Sequence, residues 1–272
     1  MSLRQDLQTL TDRLDRSPRM PALFLGHGSP MNAIQDNAYS RSWQTLGAHL
    51  PRPQAILVVS AHWMTQGTTL VDISAHPRTI HDFYGFPEAL YQESYPAPGH
   101  PALAQEVALM LADHKVQTDE TWGLDHGAWQ VLKFLYPKAD VPVFQLSIDM
   151  DRDLDWHLEL GTALSALRDR GVLILGSGNI VHNLPAMTKG AAPFDWAQAF
   201  DTRFAERLED RDFAALADRK TFDGAFMQSH PTHDHYLPSL SVLGAARTDD
   251  EITHLNTSID LGSVSMRSFI FH

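Results

Sequence analysis

Three times in this chain a short apolar run leads, through small or turn residues, to a histidine. The first is Leu23-Phe24-Leu25-Gly26-His27-Gly28-Ser29-Pro30, and the second is Ala55-Ile56-Leu57-Val58-Val59-Ser60-Ala61-His62-Trp63. The third, looser, is Val172-Leu173-Ile174-Leu175-Gly176-Ser177-Gly178-Asn179-Ile180-Val181-His182. Each run is short, β-branched or leucine-rich, and bounded by Gly, Ser or Pro, the pattern of a buried strand. A histidine therefore falls at or just beyond the carboxyl end of each strand, the edge of an open α/β sheet where ligands bind. Three imidazoles on one edge of one sheet predict a metal site.

Composition narrows the chemistry of that site. The chain has no cysteine, which excludes disulfides and thiolate metal sites, so any transition metal is held by nitrogen and oxygen. Fifteen histidines stand ready in 272 residues. The formal charge is −12 and no run of Lys or Arg occurs, which argues against nucleic acid and against an anionic membrane surface. The polar stretch from Met1 to Met20 lacks the apolar segment of a signal peptide, and no apolar run approaches the roughly 20 residues of a membrane helix. A soluble cytoplasmic protein is expected.

The expected fold class is α/β, a single domain with a largely parallel or mixed central sheet flanked by helices and a metal site at the carboxyl edge of the strands. Residues 1–20 read as an amphipathic helix, with Leu3, Leu7, Leu10 and Leu14 on one face, followed by a linker. Residues 21–272 read as one domain, with no internal repeat or long linker. Helices are predicted over 37–50, 101–114, 128–136, 154–170, 194–208, 212–217 and 239–246. Further strands are predicted over 68–73, 141–148, 252–258 and 263–271. The segment His81 to Pro87 is dense in aromatics and turn residues, a loop that either covers a flat apolar ligand or packs on its own rings.

Two other histidine settings stand out. His126, between Asp125 and Gly127 on a loop, suits a titrating acid/base group, or equally a cap on the helix that follows. In the cluster His230, His233 and His235, the last two share a face only in extended backbone, and at least one of the three is expected to be merely solvated. No Gly-Xaa-Ser-Xaa-Gly elbow exists, and Gly176-Ser177-Gly178-Asn179 falls short of a dinucleotide fingerprint.

The segments LGHGSPM at 25–31, SAHW at 60–63, HDFYGFP at 81–87, GLDHGAW at 123–129, GSGNIVHNL at 176–184 and HPTHDHYLP at 230–238 form a set. Together they resemble the class III (LigB-type) extradiol ring-cleavage dioxygenases, in the branch of 4,5-DOPA dioxygenase extradiol-like proteins. The six motifs come in matching order, and the resemblance covers the chain from about residue 22 to 271. The resemblance implies an enzyme that opens a catechol, DOPA-like, with O2 at a histidine-ligated metal centre. It implies His27, His62, His182 and His235 in that centre and His126 and His182 as proton-handling groups, while the aromatic loop is expected to place His81, Phe83 and Tyr84 against the substrate. Related enzymes bind Fe(II) with two histidines and a glutamate. Here His235 holds the late position without a glutamate, so one divalent ion, Zn(2+) or Fe(2+), is implied, with His182 either ligand or base. The alternatives on the same residues are a zinc-dependent hydrolase and a non-catalytic metal- or phenol-binding protein. A small aromatic diol and O2 are the implied partners, with a monomer or homodimer as the assembly.

Overall fold

The three apolar runs form adjacent strands. A computed structural model describes residues 19–272, so the N-terminal helix expected within 1–20 lies outside the described residues. In chain order the strands are β1 (Ala22–Gly26), β2 (Ala55–Thr65), β3 (Leu70–Asp72), β4 (Gln117–Asp119), β5 (Val143–Asp149), β6 (Val172–Gly178), β7 (Ile252–Leu255), β8 (Ile259–Asp260), β9 (Val264–Ser265) and β10 (Ser268–Phe271). One eight-stranded sheet has the order β4-β3-β5-β2-β6-β1-β10-β7, and β8 with β9 makes a separate hairpin. The four central strands, β5-β2-β6-β1, are parallel. On one side β10 and β7 add antiparallel strands, and on the other β3 runs antiparallel to β5, so the sheet is mixed.

The central strands are buried on both faces, which is why they read as unbroken apolar runs rather than alternating ones. Successive side chains still go to opposite faces. Phe24, Leu57, Val59 and Ile174 enter one core, while Leu25, Ile56, Val58 and Leu173 enter the other. The principal helices are α1 (Ala38–His49), α2 (Pro101–Met110), α3 (His126–Leu135), α4 (Leu154–Leu164), α5 (Asp195–Glu209) and α6 (Leu237–Ala245). Trp43 of α1 and Trp129 of α3 fill the second core; Leu160 of α4, Phe204 of α5 and Leu240 of α6 fill the first.

Most expected elements are present, with three differences of detail. The helix expected over 154–170 tightens to a 3-10 turn over Ser165–Arg170. The strand expected over 252–258 stops at Leu255, where Asn256 takes left-handed backbone, and the one expected over 263–271 divides into β9 and β10. The β2–β5 ladder is irregular: after Val59 pairs with Leu146, the next pair is Met64 with Ile148. The residues Ser60 to Trp63 thus bulge out of that ladder, and bulges re-aim side chains beside active sites.

Helices α4 and α6 cross on two glycines. A Cβ on Gly161 would overlap the Ser241 carbonyl, and one on Gly244 the Leu158 carbonyl. Gly161→Ala or Gly244→Ala must therefore push the helices apart. Each is expected to lower the unfolding free energy by about 1–3 kcal/mol in denaturant titrations, and an unchanged midpoint would contradict this packing.

Candidate metal centre

Backbone geometry brings residues from four parts of the chain to one rim. His27 follows the last residue of β1, and its N–H donates to the Gly178 carbonyl at 3.1 Å. Gly178 ends β6 and lies against the His235 backbone so closely that a Cβ there would strike the His235 carbonyl. The N–H of Asn179 donates to that same carbonyl at 3.0 Å, which fixes His235 beside the end of β6. His62 arrives from the bulge in β2. Its Nε2 lies 3.1 Å from Nε2 of His27, and ligand nitrogens of His27, His62 and His235 all fall within 4.8 Å of one another.

The outer nitrogen of each ring is already engaged, and the partners define the tautomers. Ser177 Oγ donates to the Gly127 carbonyl (2.6 Å), so it accepts from His27 Nδ1–H at 3.0 Å. Asn179 Nδ2 donates to the Ser265 carbonyl (2.8 Å), which leaves Oδ1 to accept from His235 Nδ1–H at 3.1 Å. His62 Nδ1 lies 3.2 Å from the Asp82 carboxylate, which favours the proton on that nitrogen. Three Nε2 lone pairs are left facing each other. Lone pairs 3.1 Å apart repel unless a cation lies between them, and metal–imidazole bonds of about 2.0–2.1 Å allow one ion to reach both. Burial, followed by the charge of neighbouring imidazoles, pushes His27, His62 and His235 well below the ordinary histidine range. They are neutral at pH 7, the form that binds metal. The residues present fit a divalent ion.

Two more histidines flank the trio. His126 opens α3 rather than lying on a loop away from the core strands, and the cap of that helix is Asp125, whose carboxylate accepts from the Ala128 N–H at 3.1 Å. Asp82 accepts from the N–H of His126 (2.8 Å) and from its Nδ1 (2.9 Å), which leaves His126 Nε2 free. Burial alone would raise Asp82, but the bond from His126 and the two imidazoles bring it down to about 2. The rings of His126 and His62 are 3.9 Å apart between centroids. His182 lies flat on His235, with centroids 3.4 Å apart and planes 8° from parallel. It belongs to a second potential ligand group, with Asp234 and His235, that shares His235 with the trio, and burial lowers its pKa to about 4. None of the 230–235 histidines is simply solvated: His230 is buried with Nε2 donating to the Ile180 carbonyl, and His233 is half-buried.

The cluster floors a cavity of about 450 Å³, whose walls include Phe86, Leu184, Met187, Val264 and Met266. Of the loop residues, His81, Phe83 and Tyr84, expected against the ligand, none lines this cavity, whereas Phe86 does. His81 Nε2 is taken by the Glu93 carbonyl at 2.9 Å, and Tyr84 is 92% exposed. Phe83 packs behind the site, edge-on to His126 and against Tyr91 and Phe86. Sequence reading overlooked Asp82, Ser177 and Asn179, although all three sit inside quoted motifs. No local pattern reveals that Asp82 meets a ring 44 residues away.

Residues 21–267 match the family described as the catalytic LigB subunit of aromatic ring-opening dioxygenase. The chain belongs to the LigB family. It is 49% identical over 263 residues to 4,5-DOPA dioxygenase extradiol of Escherichia coli (strain K12), covering 94% of this chain and 96% of that protein. It is 40% identical to 4,5-DOPA dioxygenase extradiol of Beta vulgaris, covering 91% of this chain and 95% of the relative. The crystal structure of the uncharacterized protein JW3007 from Escherichia coli K12 superimposes with a TM-score of 0.81 at 44% identity, covering 93% of this chain and all of that one. As a LigB protein the chain is an extradiol aromatic ring-opening dioxygenase. LigB dioxygenases use a metal, and the histidine cluster is able to hold one. Among the described residues no helix is long and apolar enough to cross a membrane.

If Asn179 orients His235, Asn179→Ala is expected to weaken metal binding by about 10–100-fold in a chelator competition, whereas His27→Ala is expected to retain no stoichiometric metal. Wild-type affinity in the Asn179 variant would contradict the orientation argument. Acid sensitivity follows from the buried histidines away from the trio. Burial lowers His157 to about 4 and His230 to about 3. The unfolded chain takes up these protons near the ordinary pKa of about 6.5 while the folded protein does not, so stability falls as pH drops from about 6.5 toward 4. The melting temperature of the metal-free protein should be nearly level above pH 7 and decline below pH 6, and a level profile down to pH 5 would refute this.

Proposed function

We propose that the protein opens the ring of a catechol, with DOPA-like compounds as the substrate class, using O2 and one divalent ion held by Nε2 of His27, His62 and His235. The observation that carries this reading is the convergence of three lone pairs on the floor of an apolar cavity, next to an imidazole with a free Nε2. When bound, the ion supplies the redox contact that ring opening by O2 requires, which fits Fe(2+) and not Zn(2+), whose oxidation state is fixed.

The chain's own residues do the rest. His126 Nε2 accepts a proton from a catechol hydroxyl, and Asp82, bonded to Nδ1, holds the ring in the accepting tautomer and stabilises the imidazolium that forms. His182, stacked on His235 with Asp234 beside it, handles the second hydroxyl proton. Phe86, Leu184 and Met187 grip the flat ring and keep water from it. The charge of Asp82, one shell outside the trio, offsets part of the charge of an ion held by neutral ligands alone.

Metal-free protein loaded with Fe(2+) under anaerobic conditions and mixed with L-DOPA should consume O2 on admission of air and form a yellow ring-opened product. The zinc-loaded protein should not. His126→Ala is expected to reduce turnover by about 10²–10⁴-fold while keeping wild-type metal content. No oxygen uptake across a panel of catechols would overturn the proposed reaction, and loss of metal from the His126 variant would overturn its assigned role.

A further inference from the structure

The cavity is electrically one-sided. No lysine or arginine lines it among the described residues, and apart from the histidines and Asp234 the remaining charged side chain on its wall is Asp260. Strand pairing explains how Asp260 comes to face the site. Asp260 of β8 is the Cα partner of Val264 of β9, and Val264 in turn bridges to His182. Directly opposed residues of antiparallel strands project to the same face, so Asp260, Val264 and His182 point the same way, and all three line the cavity. At about 4.7–4.9 Å per strand step, Asp260 lies on the order of 10 Å from His182 across the ladder. That span suits a catechol ring with a two-carbon arm.

Asp260 is also held in place. The Tyr39 hydroxyl, at the start of α1, donates to Asp260 Oδ1 at 2.5 Å, with Ser258 Oγ 2.8 Å from the same hydroxyl. Burial, reinforced by the bond to Asp260, pushes Tyr39 up to about 12, so it stays a donor at neutral pH. Among the described residues no donor meets Asp260 Oδ2 within hydrogen-bonding distance. The carboxylate is fixed through one oxygen, with the other available.

We propose that Asp260, positioned by Tyr39, anchors a cationic amine on the side arm of the substrate and so selects amine-bearing catechols over those bearing only a carboxylate. The proposal rests on the catechol reading above and adds a residue that decides specificity. An ammonium group on Oδ2 gains a charge-assisted bond in a partly desolvated wall. A carboxylate in its place meets Asp260 and Asp234 with no cation to answer it, which disfavours the wrong ligand as strongly as the right one is favoured. The net charge of −12 acts in the same direction at longer range.

The test compares dopamine, L-DOPA, 4-methylcatechol and 3,4-dihydroxyphenylacetate on the Fe(2+)-loaded protein, by anaerobic calorimetric titration and by kcat/KM in air. Wild type is expected to favour dopamine over 3,4-dihydroxyphenylacetate by at least about tenfold in both readouts. Asp260→Asn should collapse the ratio of dopamine to 4-methylcatechol, mainly through KM, and strengthen binding of 3,4-dihydroxyphenylacetate. Tyr39→Phe, which keeps the charge but frees the carboxylate, should move the same ratios less far. Equal preference for the four compounds in wild type, or an equal loss for all of them in Asp260→Asn, would overturn the anchor. If no compound is turned over, the ring-cleavage reading falls, and the oxygen-free titration still decides whether Asp260 selects the amine.

Discussion

The site depends on how the far side of each imidazole is held. A histidine ring has two nitrogens, and fixing one as a donor makes the other an acceptor. Ser177 fixes His27, Asn179 fixes His235, and the Asp82 carboxylate faces Nδ1 of His62. Ser177 and Asn179 have their own roles fixed in turn by the Gly127 and Ser265 carbonyls. The chain of constraints runs from the backbone through a polar side chain to the imidazole. It leaves three lone pairs crowded into a buried space, an arrangement that is unfavourable by itself and favourable around a cation.

The sheet makes that crowding possible. Parallel neighbours β2, β6 and β1 end on the same edge, so residues that follow them in the chain meet in space. Close approach at Gly178 then admits the segment before α6, which brings His235 to the same rim. The bulge after Val59 turns His62 toward His27, where an unbroken ladder with β5 would have carried it past. The hairpin of β8 and β9 closes the opposite wall through the bridge from Val264 to His182. Stability and reactivity share these contacts, since the glycines and small polar residues that let backbones touch also set the ring orientations.

Much of this was legible in the amino-acid sequence. Apolar runs ending in His27, His62 and the segment before His182 gave the strands, their burial and the edge on which ligands gather. What could not be read were features produced by contacts distant in the chain. Asp82 looks like one more residue of an aromatic loop until the fold lays it against His126 and His62. His81, Phe83 and Tyr84 share the composition of a ligand-covering loop, yet only the backbone path decides that Phe86 is the ring reaching the cavity. Spacing alone could not say which of His230, His233 and His235 meets solvent, whereas the fold packs His230 against Phe200, Phe226 and Tyr236.

In the proposed function, three imidazoles far apart in the chain bind one ion through Nε2. Anomalous diffraction at the iron edge, from crystals of the Fe(2+)-loaded protein grown without oxygen, addresses it most directly. One shared ion requires a single strong peak within bonding distance of Nε2 of His27, His62 and His235. A peak bonded to other residues, or rings of His27 and His62 turned away from a common ion, would contradict it.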